Sequence, residues 1–244
     1  MARARRRLTL LAGVLLASGR TQATGPAYLD EPSRIVPVGH ARPGERLPLA
    51  IVLPATGASA ADVYGAFAPH LGLDAYVAMI PDGVPAREDY SDDFDAYVRH
   101  YERRLEQDLA RARAQNAIND GRVFVVGFSL GGDLAWALLA RHPDWFRGAL
   151  ILSSGCSARL SPAAAATLRR RGARVVFAVG DHDPRRSGLA RAQKKILDAR
   201  AATHLFTFHG GHQLPPDPAV LDAAFRELFA ASPTSKEPSD ASRR

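Results

Sequence analysis

Short runs dense in Val, Ile, Leu and Phe recur along the chain at 47–53, 75–80, 122–128, 149–153, 174–179 and 204–208. Each has strand length and is mostly apolar at odd and even positions alike, as a strand covered on both faces requires. A further early strand is expected near 34–38, and helices are predicted at 60–71, 93–116, 130–141, 162–171, 187–200 and 218–231. Strand, helix, strand repeated in this way predicts an α/β fold: a mostly parallel, doubly wound sheet with helices on both faces and right-handed crossovers. On the helix at 93–116, Arg99, Glu102, Arg103, Arg104, Glu106 and Asp108 read as a solvated face laced with i,i+4 pairs.

The two ends break this pattern. Residues 1–23 run from a basic head with Arg3, Arg5, Arg6 and Arg7, through the apolar stretch 8–17, to a small and polar stretch ending at Ala23. This is the three-part layout of a secretory signal peptide, with cleavage expected within 19–28. The apolar stretch is too short to span a bilayer, which takes about 20 residues, so no stable membrane anchor is expected. Residues 232–244 hold no apolar side chain larger than Ala or Pro, and are expected to be a disordered tail. Residues 24–231 are then a single domain, long enough for a sizeable core.

Charge first suggests a nucleic-acid partner, since the formal net charge is +7. Its location argues otherwise. Five arginines and no acid lie in residues 1–23, so removing that segment lowers the charge by five, to +2. No nucleic-acid partner is expected. Cys156 is the single cysteine, which excludes an intramolecular disulfide and a Cys-based zinc site. Three lysines against 29 arginines, with many alanines, is the composition of a GC-rich bacterial genome, so the expected destination is periplasmic or secreted.

Candidate chemistry sits where the apolar runs end. Gly127-Phe128-Ser129-Leu130-Gly131 follows the strand at 122–126 directly and opens the helix at 130, the strand, tight turn, helix setting of a nucleophile elbow. Glycines are needed on either side because backbone and helix crowd a serine held in a strained turn. The helix N-terminus behind Ser129 offers N–H groups and a positive dipole end to a developing oxyanion. A serine hydroxyl is a poor nucleophile near neutral pH and needs a histidine base oriented by an acid. The strand at 174–179 ends in Gly180-Asp181-His182-Asp183-Pro184, and that at 204–208 ends in His209-Gly210-Gly211-His212. Either Asp181 or Asp183 is placed to serve as the acid. Asp183 is preferred because Pro184 biases it toward an extended conformation, whereas Asp181 comes straight off the strand and can bond loop backbone.

Residues from about 46 to 231 resemble an α/β-hydrolase-fold serine esterase. They are most similar to the carboxylesterase, phospholipase and acyl thioesterase group and to the polyhydroxybutyrate depolymerase or feruloyl esterase-like group. Residues 127–132, 180–183 and 211–212 carry the likeness. It implies Ser129 as nucleophile, Asp183 as acid and His212 as base, with oxyanion N–H groups from Leu130 and from the loop after the strand at 47–53. Family members usually have His-Gly in that loop. Here Pro54-Ala55 stands instead, and aligning Pro54 with the family's His puts Thr56 at the donor position. The expected activity is cleavage of carboxylic esters or thioesters, of short to medium acyl chain or of soluble oligomers, without a cofactor. A peptidase, an acyltransferase or a non-catalytic binding homologue remain alternatives.

Other polar residues are read more plainly. Ser153 and Ser154 are expected to be core or hydrogen-bonding serines, and Cys156 a small buried side chain. Asp181, His182, His209 and His212 are metal-ligating types, but their spacing is specific to no metal and none is assigned. Only about 20 residues separate the strands at 149–153 and 174–179, where large lids are commonly inserted, so little or no lid is expected. The segment 81–91 is expected to line one rim, with Tyr90, Asp92 and Asp93 as candidate substrate contacts.

Overall fold

Seven strands, β1 (Arg34–Val38), β2 (Leu47–Val52), β3 (Tyr76–Ile80), β4 (Ile118–Phe128), β5 (Gly148–Leu152), β6 (Arg174–Gly180) and β7 (Ala202–Phe208), form one sheet in the order β1-β3-β2-β4-β5-β6-β7. All neighbours are parallel except β1, which pairs antiparallel with β3, Val36 opposite Ala78. The connections are helices α1 (Ala60–Phe67), α2 (Phe94–Gln115), α3 (Leu130–Arg141), α4 (Pro162–Arg170), α5 (Arg186–Asp198) and α6 (Pro218–Phe229). The computed structural model describes residues 33–39, 42–72, 76–80 and 93–230. The expected signal segment, tail and rim segment 81–91 lie outside the described residues, as do Tyr90 and Asp92. Asp93, expected at the rim, caps α2 by accepting from the Ala96 N–H at 2.8 Å.

Alternation along the strands divides the core in two. Leu49, Ile51, Val123, Val125, Ala149, Ile151, Val175 and Phe177 face a layer that includes α2, α3, α4 and α5. Val52, Phe124, Val126, Leu150, Leu152, Val176 and Ala178 face α1 and α6, where Phe67 meets Phe225 edge to face at 5.6 Å between ring centroids. Both layers are needed because these strands leave neither face polar, and each fully buried large apolar side chain contributes ~1.5–3 kcal/mol. Trp136 of α3 is wholly buried, and its indole N–H donates to the Ala158 carbonyl at 2.8 Å, so the one polar atom it carries inward is satisfied.

Two elements differ from expectation. β4 starts at Ile118 rather than 122, because the Asn119-Asp120-Gly121 stretch is carried into the sheet across a register shift opposite β2. On α2, Arg104 and Asp108 are buried, not solvated. Arg104 Nε donates to Asp108 Oδ2 at 2.7 Å, Arg111 pairs with Oδ1 at 3.0 Å, and the Ser33 hydroxyl also bonds this carboxylate. A charge can be buried when its lone pairs are occupied in this way. Among the described residues no helix is long and apolar enough to cross a membrane.

Candidate active site

Ser129 lies where β4 passes into α3, with φ 56° and ψ −118°, a conformation that costs a non-glycine residue free energy and turns its side chain away from both elements. Its N–H donates to the Leu152 carbonyl of β5 at 3.0 Å, which fixes the turn to the sheet. Gly127 makes the turn sterically feasible: a Cβ there would stand 2.1 Å from the Gly131 carbonyl oxygen. A Cβ on Gly131 would stand 2.7 Å from the Pro54 carbonyl oxygen, so the loop after β2 runs directly against the first turn of α3.

His212, on the loop after β7, places Nε2 2.9 Å from Ser129 Oγ and Nδ1 3.1 Å from Asp183 Oδ2. An ionised carboxylate only accepts, so the Nδ1 proton faces Asp183 and the Nε2 lone pair faces the serine hydroxyl. The Phe128 ring stacks on His212 at 5.3 Å between centroids and limits its rotation. The His212 side chain remains 35% exposed, whereas that of Asp183 is wholly buried.

Burial pushes the Asp183 carboxyl up, but its donors outweigh burial and the net shift is downward. The Arg185 N–H donates to Oδ1 at 2.8 Å, and His212 bonds Oδ2. Ser153, buried at the end of β5 with φ 47°, adds to the lowering, although its hydroxyl makes no hydrogen bond of normal geometry. Asp181 turns elsewhere. It accepts from the Gly210 N–H at 2.9 Å and lies 3.2 Å from His209 Nδ1, and those contacts, the Gly210 N–H foremost, hold its pKa down to about 2.

Thr56 sits at the tip of a tight turn in which the Ala58 N–H donates to the Ala55 carbonyl at 3.0 Å, and Leu130 is the first residue of α3. Leu130 lies in the first turn of a helix, where its backbone N–H has no intrahelical acceptor. Ser154 donates to Asp133 Oδ1 at 2.6 Å and accepts from the Cys156 N–H at 2.9 Å. Burial, foremost, pushes the Cys156 thiol up to about 12, so this cysteine stays a thiol and not a thiolate nucleophile. Sequence reasoning did not single out Phe128, Asp133 or Arg185. Only Phe128, inside the Gly-x-Ser-x-Gly motif, carried a local signal. No inserted subdomain separates β5 from β6, where α4 is the only helix. A cleft of about 460 Å³ between α4 and α5, lined by Leu160, Ala165, Arg169, Lys195 and Arg200, includes none of Ser129, Asp183 and His212.

A parallel sheet with an antiparallel edge strand, wound by helices on both faces and presenting a serine at a strained strand-to-helix turn, is the architecture of the α/β hydrolases. Residues 84–220 match the alpha/beta hydrolase fold family, and the chain belongs to it. It is 32% identical over 174 residues to a protein of Nocardia uniformis subsp. tsuyamanensis named "Putative esterase NocK", covering 63% of this chain. The chain spans about half of that relative's length, 47%. The solved structure of esterase PE8 superposes with a TM-score of 0.59 at 20% identity, covering 81% of this chain and 97% of that one. The Bacillus cereus carboxylesterase does so with a TM-score of 0.58 at 15% identity, covering 80% and 92%. At these identities the structural likeness establishes the fold.

Proposed function

We propose that the chain is a serine hydrolase that cleaves carboxylic esters through an acyl-enzyme. The observation that carries this reading is the unbroken relay from Ser129 Oγ through the two nitrogens of His212 to Asp183, with steps of 2.9 and 3.1 Å. Ser129 Oγ attacks the ester carbonyl carbon as His212 Nε2 takes its proton, and the imidazolium then returns that proton to the departing alcohol. Water repeats the sequence on the acyl-enzyme, releasing the acid and restoring Ser129. Asp183 keeps the imidazole in the required tautomer and stabilises its charged form. The backbone N–H groups of Leu130 and Thr56 receive the oxyanion, each such donor being worth about 10²–10³ in kcat.

The Nocardia relative's name supports an esterase reading. The short connection between β5 and β6 supports short to medium acyl chains or soluble oligomers, because no inserted subdomain is there to bury a long chain. Export, with residues 1–23 removed, completes the proposal and rests on the sequence pattern alone. A fluorophosphonate probe tests the chemistry. It should label the folded chain on the peptide bearing Ser129, and Ser129→Ala should abolish labelling and lower aryl-ester turnover by several orders of magnitude. A folded chain that takes no label is a binding homologue; a labelled chain that cleaves peptides and no ester is a peptidase.

A further inference from the structure

The loops that carry Asp183 and His212 meet a second time, two residues before the one and three before the other. Gly180, the last residue of β6, lets them close: a Cβ there would stand 2.2 Å from the Gly210 carbonyl oxygen and 2.4 Å from that of Gly211. In this approach the Asp181 carboxylate lies between two imidazoles. Oδ1 is 2.7 Å from His182 Nδ1, and Oδ2 is 3.2 Å from His209 Nδ1. The rings stand nearly perpendicular at 5.3 Å between centroids, and one potential ligand atom from each of the three residues lies within 4.8 Å of the others.

We propose that Asp181, His182 and His209 form a binding site for a divalent cation of the zinc class, clipping the β6–α5 loop to the β7–α6 loop beside the catalytic relay. Two imidazole nitrogens and one carboxylate oxygen suit Zn²⁺, Ni²⁺ or Cu²⁺ and not the oxygen-seeking Ca²⁺ or Mg²⁺. A tetrahedral ion with bonds near 2.1 Å sets its donors about 3.4 Å apart. The two nitrogen to oxygen separations, 2.7 Å to Oδ1 and 3.2 Å to Oδ2, lie below that, so the cluster reaches ion geometry when the side chains open by less than an ångström and one carboxylate oxygen turns to the ion. The Gly210 N–H on Asp181 Oδ1 supplies the outer hydrogen bond that orients a ligating carboxylate. Packing does not account for the cluster. The His182 and His209 side chains are 68% and 87% exposed, so their rings bury little surface against the entropy of holding them together. Three protein ligands leave a fourth position for water.

Calorimetric titration of the full chain, carrying no histidine tag, with Zn²⁺ near neutral pH tests the site. One ion should bind per chain, affinity should fall at least about tenfold in His182→Ala and in His209→Ala, and Zn²⁺ should raise the Tm of the parent chain but not of His209→Ala. Both histidines are exposed, so the variants should keep the parent's circular dichroism. No saturable one-to-one step up to about 1 mM Zn²⁺ would overturn the proposal. So would binding that survives both substitutions and disappears in His212→Ala, which would put the ion on the relay itself.

Discussion

Arg185 and Asp133 are joined by an ion pair of 3.2 Å that ties the loop of Asp183 to the helix that starts behind Ser129. Asp133 sits in the first turn of α3, where a carboxylate favours the helix dipole, and its other oxygen accepts from Ser154 Oγ at 2.6 Å and the Gly155 N–H at 2.9 Å. The Arg185 guanidinium also reaches the Ser153 carbonyl at 3.3 Å, while its backbone N–H holds Asp183. One carboxylate and one guanidinium therefore join the carboxyl ends of β4, β5 and β6. Asp133→Ala strips the partners from a hydroxyl, an N–H and a guanidinium at once, and should cost about 2–4 kcal/mol in urea unfolding. Arg185→Ala keeps the N–H to Asp183 and removes a partly buried ion pair and the contact to the Ser153 carbonyl, so about 1–3 kcal/mol is expected. Its kcat should fall by up to about 10² through misplacement of Asp183, with KM nearly unchanged.

Gly127→Ala tests the elbow by itself. The added carbon would meet backbone on two sides, 2.1 Å from the Gly131 oxygen and 2.7 Å from the Gly132 nitrogen, and neither can swing aside as a side chain tip can. A loss of about 3 kcal/mol or more is expected, seen as a collapse of soluble yield or of the urea midpoint. A soluble, fully active Gly127→Ala chain would mean that the turn has another geometry.

The proposed substrate range rests on the short β5–β6 connection and is tested by chain length. Hydrolysis of aryl esters with acyl chains from two to sixteen carbons should peak at short to medium length and show no jump when the substrate forms an interface. A sixteen-carbon optimum with interfacial activation would count against the short-chain proposal.

Export is tested at the N-terminus of the protein from its native host. Four arginines without an acid before an apolar run predict a first residue within 19–28 and recovery outside the cytoplasm. A cytoplasmic chain that begins at Met1 or Ala2 would refute this.

Much of the sheet was legible because β2, β4, β5 and β6 are apolar on both faces, a pattern only a doubly covered sheet rewards. The elbow was legible because a strand, three glycines and a serine lie within a few adjacent positions. What the sequence concealed was assembled from distant positions. Asp133 and Arg185 are 52 residues apart, and nothing local to either signals the other. Burial of Arg104 and Asp108 was hidden for the same reason: charged residues at i,i+4 look alike on a solvated face and in a closed network, and the deciding partner, Ser33, lies 75 residues from Asp108. Asn119-Asp120-Gly121 has the composition of a turn, and only the pairing of Ile118 and Val123, on either side of it, with β2 carries it into the sheet.

Asp181 and Asp183 stand two residues apart on one loop with opposite surroundings, so replacing each in turn separates relay from support. Asp183→Asn keeps the shape but offers an amide where the His212 Nδ1 proton needs an acceptor, and turnover should drop by about 10⁴. Asp181→Asn leaves the 3.1 Å contact between Asp183 and His212 in place, and should cost well under tenfold. The pH dependence of stability gives an independent readout. The folded chain holds the Asp183 carboxyl below its ordinary value, so the unfolded chain binds the proton more readily. The stabilisation from Asp183 is therefore complete above about pH 4 and is lost as the pH falls through the folded value. Asp183→Asn should flatten the decline of the urea midpoint below about pH 4 as well as removing turnover. If Asp181→Asn proves the inactive variant and Asp183→Asn retains turnover, His212 is oriented by the other carboxylate and the relay is misassigned by two residues.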